Sequence, residues 1–336
     1  MDHRHTGNPK TGFSAGAPPD FCHLSGLTKP SRYTGRFAPS PTGPLHFGSL
    51  ITAVASYLEA RTRNGRWLVR IEDIDPPREI PGATGMIVEA LETYGFSWDG
   101  EVLFQSRRGD AYRAALEDLD SRDLTYRCGC SRRSLASIAA DGEHGLIYPG
   151  ICRSGSGPDD EEFAIRVRTH NDPVRFSDRN LGLVQQTLES EIGDFILRRR
   201  DGLYAYQLAV VVDDAWQGVT DIVRGSDLLS STPRQIYLQR LFGMDTPEYL
   251  HVPVAVNARG GKLSKQTGAR GLPLDQPGPQ LLKALRFLNQ APADSLAGAP
   301  VMEIWDWATA NWRTQSVPRS HSVSLEEHMG LKDRSP

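Results

Sequence analysis

Residues 33–58 read YTGRFAPSPTGPLHFGSLITAVASYL, and the order of features in this stretch decides the fold. Residues 33–37 predict a short strand, which ends at APSPTGP, a turn rich in proline, serine and glycine at residues 38–44. A helix is predicted from about Ser49, because apolar residues recur with helical spacing along one stripe. These residues are Leu50, Ile51, Val54, Ala55 and Leu58. The stretch therefore predicts a strand–turn–helix unit of an α/β fold.

The same pattern continues downstream of this unit. Residues 67–71, WLVRI, predict a second strand that runs into carboxylates. A helix is predicted over residues 82–94 and ends at Gly95, which suits a left-handed cap, and another helix is predicted over residues 110–119. Strands that alternate with helices in this way predict a Rossmann-like parallel sheet covered on both faces.

Further elements are predicted in the second half of the chain. LAVVVDD at residues 208–214 predicts a buried strand whose end carries two acids. Thr232 is predicted as the N-cap of a helix, with proline in the first turn and Gln235 completing a capping box. Strands are also predicted at residues 163–168 and 249–256, and helical segments at residues 279–290 and 301–312.

Composition excludes several classes of protein. The chain has 336 residues, which suffices for two average domains or one large α/β domain with insertions. Its net charge is −3, which excludes a polycation that binds nucleic acid through net charge alone. The longest strongly apolar run, residues 208–212, is far shorter than the roughly 20 residues of a membrane helix. A soluble protein without membrane partners is expected, and in the absence of a signal peptide the expected location is the cytoplasm.

Three of the four cysteines lie close together in the sequence. Cys128, Cys130 and Cys152 fall where the strand–helix pattern stops, and in a reducing compartment such a cluster favours metal over disulfides. Three thiolates leave a tetrahedral zinc one ligand short, and His144 is a candidate for the fourth. We expect one structural zinc in an insertion outside the sheet.

Two short motifs point to nucleotide chemistry. In open α/β sheets, ligands bind beyond the carboxyl ends of the strands, which is where HFGS at residues 46–49 falls. His46 can donate to phosphate oxygens, Gly48 lets a flat adenine approach the backbone, and the helix start at Ser49 offers free N–H groups. In KLSKQ at residues 262–266, Lys262 and Lys265 suit a triphosphate, because they neutralise the charge that develops on leaving pyrophosphate.

Together these motifs carry a family resemblance. PSPTGPLHFGS followed by KLSKQ resembles the HIGH and KMSKS signatures of class I aminoacyl-tRNA synthetases. RFAPSPTGPLHFGSL, LVRIEDIDPPRE, AYQLAVVVDD and GVTDIVRGSDLLSSTPRQ resemble the core of glutamyl-tRNA synthetases. KLSKQ and the Cys-x-Cys insertion are similar to those of the glutamyl-Q tRNA(Asp) synthetases. This resemblance, which covers residues 33 to about 290, implies that ATP activates glutamate, which is then attached to queuosine of tRNA(Asp).

The resemblance also implies roles for individual residues. A substrate with two carboxylates and one ammonium needs fixed cations and one anion, so Arg36 and Arg224 are expected to pair with the carboxylates and Glu72 with the ammonium. Tyr206 is the matching family tyrosine and is expected to bind glutamate. By the same analogy the glutamate pocket is completed by Phe37, Ala38, Pro39 and Ser40, and the ATP site by His46, Gly48, Ser49 and Lys265, with Mg²⁺ expected beside ATP. For zinc, the family pattern favours Tyr148, four residues before Cys152, over His144.

Length favours this reading over a truncated glutamyl-tRNA synthetase. About 70 residues follow Gln266, so we expect no separate anticodon-binding domain of typical size. The alternatives are a truncated, tRNA-dependent glutamyl-tRNA synthetase, a non-catalytic tRNA-binding paralogue, and another nucleotidyltransferase of the same fold.

A monomer is expected. The predicted organisation is a disordered extension (1–32), the first half of the catalytic core (33–127), a zinc-binding insertion (128–153), the second half of the core (154–272), a short helical region (273–315) and a frayed tail (316–336).

Overall fold

The computed structural model describes residues 32–155, 162–257, 260–262 and 270–328. The predicted N-terminal extension therefore lies, apart from Arg32, outside the described residues, as do Lys265 and most of KLSKQ.

Strands and helices alternate through the first half of the chain, as the sequence predicts. The strands β1 to β14 are Thr34–Phe37, Arg66–Ile71, Leu103–Phe104, Thr125–Cys128, Ala140–Gly142, Gly145–Ile147, Ala164–Val167, Val174–Asp178, Gly182–Gln186, Ile196–Arg198, Asp221–Gly225, Glu248–Val252, Val254–Val256 and Ser322–Ser324. The helices α1 to α10 are Phe47–Arg61, Ala83–Thr93, Gly109–Ser121, Arg132–Ala136, Leu188–Glu191, Tyr206–Trp216, Thr232–Leu241, Pro277–Phe287, Val301–Asn311 and Leu325–His328. No described helix is both long and apolar enough to cross a membrane.

Parallel strands form the centre of the fold. One sheet has the order β1-β2-β3 and another the order β11-β12-β8-β9, and all neighbouring pairs are parallel except β8 with β9. The backbone N–H of Thr220, just before β11, donates to the carbonyl of Thr34 at 2.9 Å, so the two sheets meet edge to edge. The carboxyl ends of β1, β2 and β11 therefore face one side of the molecule, as the predicted parallel core requires.

Two hydrophobic cores hold this arrangement. The first lies around α1, which is buried along most of its length, and includes the aromatic rings of Tyr57, Trp67, Phe96 and Trp305. The second lies around α6 and α7. Because α1 packs between sheet and helices, its N-terminus is fixed at the carboxyl end of β1.

The predicted strand at residues 208–214 is wrong, because this segment is part of α6. Residues 207–214 are all buried, so the helix has no polar face and its sequence shows no helical period. A short apolar run of this kind cannot be distinguished from a buried strand by periodicity, and its valines favour the strand. Asp213 and Asp214 consequently lie inside the protein, where buried side chains partner them.

Two further predictions need correction. Helix α7 begins at Thr232 as predicted, but its N-cap is Ser231 and no capping box forms; Gln235 donates to Gln207 instead. The tail predicted to be frayed from residue 316 is ordered as far as residue 328. β14 pairs with β13, and Val317 is buried. Backbone pairing with an edge strand requires no apolar side chains, which is why this segment carries no sequence signal.

Candidate active site

A cavity of about 770 Å³ opens at the carboxyl ends of β1, β2 and β11. It is bounded on one side by the start of α1 and on another by the loop after β13. Every predicted glutamate-site and ATP-site residue within the described chain lines it: Arg36, Phe37, Ala38, Pro39, Ser40, His46, Gly48, Ser49, Glu72, Tyr206, Arg224 and Lys262. Residues separated by more than 200 positions therefore meet at a single site.

Arg36 is held in the cavity wall by Asp214 of α6. Its Nε and Nη2 donate to the two carboxylate oxygens at 3.0 and 3.3 Å, and Arg70 donates to the same carboxylate at 2.7 Å. All three side chains are buried. Burial raises the pKa of Asp214, but the two arginines outweigh it and hold this pKa below its usual range. Asp214 is thus a fixed anion that orients Arg36.

Glu72 supplies a carboxylate beside these arginines. It follows β2, and its backbone N–H donates to the carbonyl of Pro39 at 3.0 Å, which joins the ends of the first two strands. Arg70 donates to Glu72 at 3.4 Å. Burial nevertheless raises the pKa of Glu72 above its usual value, because the attraction of Arg70 and Arg36 does not fully offset desolvation. A cation that enters the cavity next to Glu72 would be strongly attracted.

Arg224 of β11 is the second guanidinium of the cavity. Its Nη1 donates to the hydroxyl of Tyr206 at 3.4 Å, its Nη2 to Thr232 at 2.8 Å, and its Nε to Nε2 of His251 at 3.1 Å. Arg224 is buried, and no carboxylate pairs with it among the described residues. A buried arginine whose hydrogen-bond partners are all neutral is suited to bind an anion from outside the protein.

His46 is the N-cap of α1. Its Nδ1 accepts the backbone N–H of Ser49 at 3.3 Å, so a neutral imidazole carries its proton on Nε2. The first turn of α1 contains no acidic residue, which leaves its positive end uncompensated. The helix start and the imidazole together form a site suited to phosphate.

Lys262 lines the same cavity as the start of α1. A β-bridge to Val256 places it beside β13, and its Nζ forms an ion pair with Asp227 at 2.5 Å. Both side chains are more than one third exposed, so this pair can exchange for a phosphate contact at little cost.

The three clustered cysteines come together next to the core. The Sγ atoms of Cys128, Cys130 and Cys152 lie within 4.8 Å of one another, and those of Cys130 and Cys152 are 3.6 Å apart. Tetrahedral zinc with Zn–S bonds of about 2.3 Å needs sulfurs about 3.8 Å apart, so the three thiols fit this ion. Burial and the neighbouring thiol of Cys152 raise the pKa of Cys130 to about 11.

Tyr148, and not His144, lies beside these thiols. Its hydroxyl is 3.4 Å from the sulfur of Cys128 and 4.0 Å from that of Cys130. His144 and Tyr148 both line a neighbouring cavity of about 300 Å³, but among the described residues the imidazole of His144 is not part of the group of possible metal ligands that the three cysteines form. The backbone of Tyr148 packs on Gly193, where a Cβ atom would lie 2.3 Å from the Tyr148 carbonyl oxygen, so only glycine fits there. The geometry of the cluster therefore favours Tyr148 as the fourth donor.

Several residues of the site were not predicted from the sequence. The sequence places Asp214 at the end of an apolar run without indicating that it binds Arg36. It gives no indication that Asp227, Thr232 and His251 belong to the site. His251 offers one signal, because it is an imidazole between apolar residues, Leu250 and Val252, in the buried part of β12.

The fold and this cavity define a class I tRNA synthetase catalytic core. Residues 33–272 match the family of tRNA synthetases class I (E and Q), catalytic domain, and the chain belongs to this family. Its relatives include the glutamyl-Q tRNA(Asp) synthetases of Ectopseudomonas mendocina (54% identity, 87% of this chain and 97% of the relative) and Pseudomonas aeruginosa PAO1 (55%, 88% and 99%). By this similarity the chain belongs among the glutamyl-Q tRNA(Asp) synthetases, ligases of the aminoacyl-tRNA synthetase type.

Solved structures agree with this assignment of the fold. The glutamate-tRNA synthetase of Elizabethkingia anophelis superimposes with a TM-score of 0.74 at 26% identity, covering 90% of this chain and 70% of that one. A glutamate tRNA ligase of Elizabethkingia meningosepticum, solved in complex with its amino acid, superimposes with a TM-score of 0.73 at 25% identity over the same shares. The predicted class I core is confirmed.

Proposed function

We propose that this protein uses ATP to activate L-glutamate without tRNA and then transfers the glutamyl group to queuosine in tRNA(Asp). The names of the relatives support the choice of amino acid and RNA. ATP, an amino acid and a tRNA are the substrates of the family as a whole.

The observation that supports this function most is the charge pattern of the cavity. Arg36 and Arg224 are the two buried arginines among the residues that line the cavity, and the carboxylate of Glu72, whose side chain is 9% exposed, lies close enough to Arg36 to be attracted by it. Asp75, Glu79 and Asp227 are further acidic residues of the lining. Glutamate carries two carboxylates and one ammonium, so it matches the two buried arginines and Glu72. An amino acid with an apolar side chain would leave one of these two guanidiniums without a substrate carboxylate, which costs about 1–3 kcal/mol or more.

The other half of the cavity suits the reaction of ATP. In the proposed step, an oxygen of the glutamate α-carboxylate attacks the α-phosphorus of ATP, and the bond to pyrophosphate breaks. The start of α1 and His46 would hold the phosphates, and Gly48 would let adenine approach the backbone. Lys262, together with Lys265, would neutralise the charge on the departing pyrophosphate, and a bound Mg²⁺ ion would supply further positive charge to these phosphates.

We further propose that Cys128, Cys130, Tyr148 and Cys152 hold one structural zinc ion. The ion would tie together residues 128–153, whose apolar cluster is small: Tyr126, Cys128 and Tyr148 are its buried members. Zinc bound in this way contributes to folding and supplies no chemistry to the reaction.

The test incubates the purified protein with labelled glutamate, ATP and tRNA(Asp), with and without queuosine. We expect label in the RNA only when queuosine is present. Label on tRNA(Glu) at its 3′ end would instead support a truncated glutamyl-tRNA synthetase. Absence of any glutamate-dependent exchange of pyrophosphate into ATP would support a non-catalytic paralogue.

A further inference from the structure

Three neighbouring strands place an arginine, a histidine and an aspartate in one row. Arg224 of β11 is directly opposite His251 of β12. Asp178, the last residue of β8, is opposite Tyr249, two residues before His251 on β12. The exposed fraction is 0% for the His251 side chain and 0% for that of Asp178. The row begins in the cavity wall at Arg224 and continues into the core.

The hydrogen bonds of the row fix the tautomer of His251. Nε of Arg224 carries a proton and donates to Nε2 of His251 at 3.1 Å, so Nε2 must be the unprotonated nitrogen. Nδ1 then carries the proton and donates to Oδ2 of Asp178 at 2.6 Å. Burial, together with the charge of Arg224, lowers the pKa of His251 to about 4 even though Asp178 opposes this, so the ring is neutral near neutral pH.

Asp178 is itself held by the backbone. Its Oδ1 accepts the N–H groups of Asn180 and Leu181 at 3.0 and 2.9 Å. Burial raises the pKa of Asp178, but the hydrogen bonds from His251 and from these N–H groups hold it below its usual range. The aspartate is therefore an ionised acceptor with a fixed position.

We propose that Asp178 and His251 are positioning residues that fix the guanidinium of Arg224 for binding a substrate carboxylate. His251 accepts the N–H of Arg224 Nε, Tyr206 accepts one N–H of Nη1, and Thr232 accepts one N–H of Nη2. These three hydrogen bonds prevent rotation of the guanidinium plane. The two remaining N–H groups are then available to the substrate. The neutral His251 at Nε leaves Arg224 with no carboxylate partner among the described residues, so its charge is available to a substrate carboxylate. Arg36 differs, because it shares the carboxylate of Asp214 with Arg70. This inference rests on the proposed function, since it needs Arg224 to bind glutamate.

Two substitutions of His251 separate the two hydrogen bonds of the ring. The amide of His251→Asn lies near the position of Nδ1, so it keeps the contact with Asp178 and loses Arg224. The amide of His251→Gln lies near the position of Nε2, so it can still accept from Arg224. In glutamate-dependent pyrophosphate exchange we expect His251→Asn to raise KM for glutamate by about tenfold or more, with KM for ATP unchanged and kcat within about threefold. We expect His251→Gln to stay within about threefold of the unmodified protein on all three constants.

Asp178→Asn tests the tautomer. The side-chain amide nitrogen of the new asparagine would donate to Nδ1 of His251, so the ring proton would move to Nε2. Two N–H groups, that of Nε2 and that of Arg224 Nε, would then face each other and could not form a hydrogen bond. We expect a rise in KM for glutamate at least as large as that of His251→Asn. Tyr249→Phe is the matched control, because Tyr249 lies in the same strand as His251. The substitution removes the buried hydrogen bond that Gln239 of α7 donates to the Tyr249 hydroxyl, and it keeps the ring that stacks beside His251. It should lower the melting temperature and leave KM unchanged.

The outcomes are distinct. Unchanged KM for glutamate in His251→Asn, or an equal rise in the asparagine and glutamine variants and in Tyr249→Phe, would overturn the positioning role while the proposed function stands. If the unmodified protein shows no glutamate-dependent exchange, the proposed function fails, and this inference fails with it.

Discussion

Arg36 donates from Nε and Nη2 to both carboxylate oxygens of Asp214, so the edge of this guanidinium is fixed before any substrate enters. Arg70 approaches the same carboxylate from a second direction. Because each contact is buried, solvent does not compete for it. The cavity wall on this side is therefore preorganised, which lowers the cost of ordering it when substrate binds.

Replacing Asp214 by asparagine should damage both binding and stability. The amide leaves two buried arginines without their shared anion, and breaking a buried ion pair typically costs about 3–5 kcal/mol. We expect a rise in KM for glutamate of about tenfold or more. Urea unfolding measures the loss of stability, and pyrophosphate exchange measures KM.

Asp213→Asn is the control for this prediction. Asp213 is also buried in α6, but its partners are Gln105, Arg108 and Tyr112, which do not line the cavity. The Asp213→Asn variant should lose about as much stability as the Asp214→Asn variant, and its KM for glutamate should stay unchanged. A change in KM of the same size in both variants would contradict the role of Asp214.

Replacing Lys265 by alanine should slow formation of the adenylate and leave glutamate binding nearly intact. The positive charge is expected to act on the triphosphate in the transition state and not on the amino acid. We expect kcat for exchange to fall while KM for glutamate stays within about twofold. Lys265 lies outside the described residues, so this prediction rests on its place in KLSKQ.

Arg113→Ala is a suitable control for Lys265→Ala. This residue is exposed on α3 and does not line the cavity. An unchanged kcat in the lysine variant would remove Lys265 from the catalytic set.

The sequence predicts the parallel core and the members of the cavity because both depend on local signals. The turn APSPTGP, HFGS with the helix start at His46, and KLSKQ can each be recognised within one short stretch of sequence. The carboxyl ends of parallel strands must share an edge, which brings such stretches to one site. The partners that hold the arginines carry no such signal. Asp214 lies in a buried helix that has no polar face, and His251 meets Arg224 only through the pairing of two strands. Such contacts depend on tertiary packing, and periodicity does not encode them.

The stability of the protein should depend on the charge of Glu72. Its pKa is raised by burial, against the opposing attraction of Arg70 and Arg36, so the native state binds a proton more tightly than the unfolded chain. Stability is then lost as the pH rises from the ordinary pKa of glutamate through the raised value. As the pH rises through this window, the unfolding free energy of the unmodified protein should therefore fall relative to that of Glu72→Gln. The variant should also bind glutamate less tightly.

Urea unfolding of both proteins at several pH values from 4 to 7 checks the sign. A difference that does not depend on pH, or that shifts toward the unmodified protein as the pH rises, would contradict it.

Removing a thiol from the cysteine cluster should release metal without unfolding the core. Cys130→Ser is expected to lower bound zinc from about one equivalent to near zero and to loosen residues 128–153. The core strands β1, β2 and β11 should remain protected from hydrogen exchange. Metal analysis of the purified proteins checks the first result, and absence of zinc from the unmodified protein would refute the site.

The fourth donor is tested by a second pair of variants. Tyr148→Phe removes the hydroxyl that lies beside the thiols, and it should weaken zinc binding about tenfold or more. His144→Ala should leave zinc binding unchanged, because this imidazole is not part of the group of possible metal ligands that the three cysteines form. The reverse result would make His144 the ligand.

Activation of glutamate should need no RNA. A truncated, tRNA-dependent glutamyl-tRNA synthetase, the alternative to this proposal, would instead need bound tRNA for this step. In this protein Arg36 is held by Asp214 and Arg224 by His251 and Thr232, so both carboxylate sites are formed by contacts within the chain itself. We therefore expect glutamate-dependent exchange of labelled pyrophosphate into ATP after treatment with ribonuclease. Aspartate should fail in the same assay, because a side chain one methylene shorter leaves a buried arginine poorly paired, at a cost of about 1–3 kcal/mol or more. Strict dependence of the exchange on added tRNA would show that the cavity is not complete on its own, and it would favour the truncated glutamyl-tRNA synthetase.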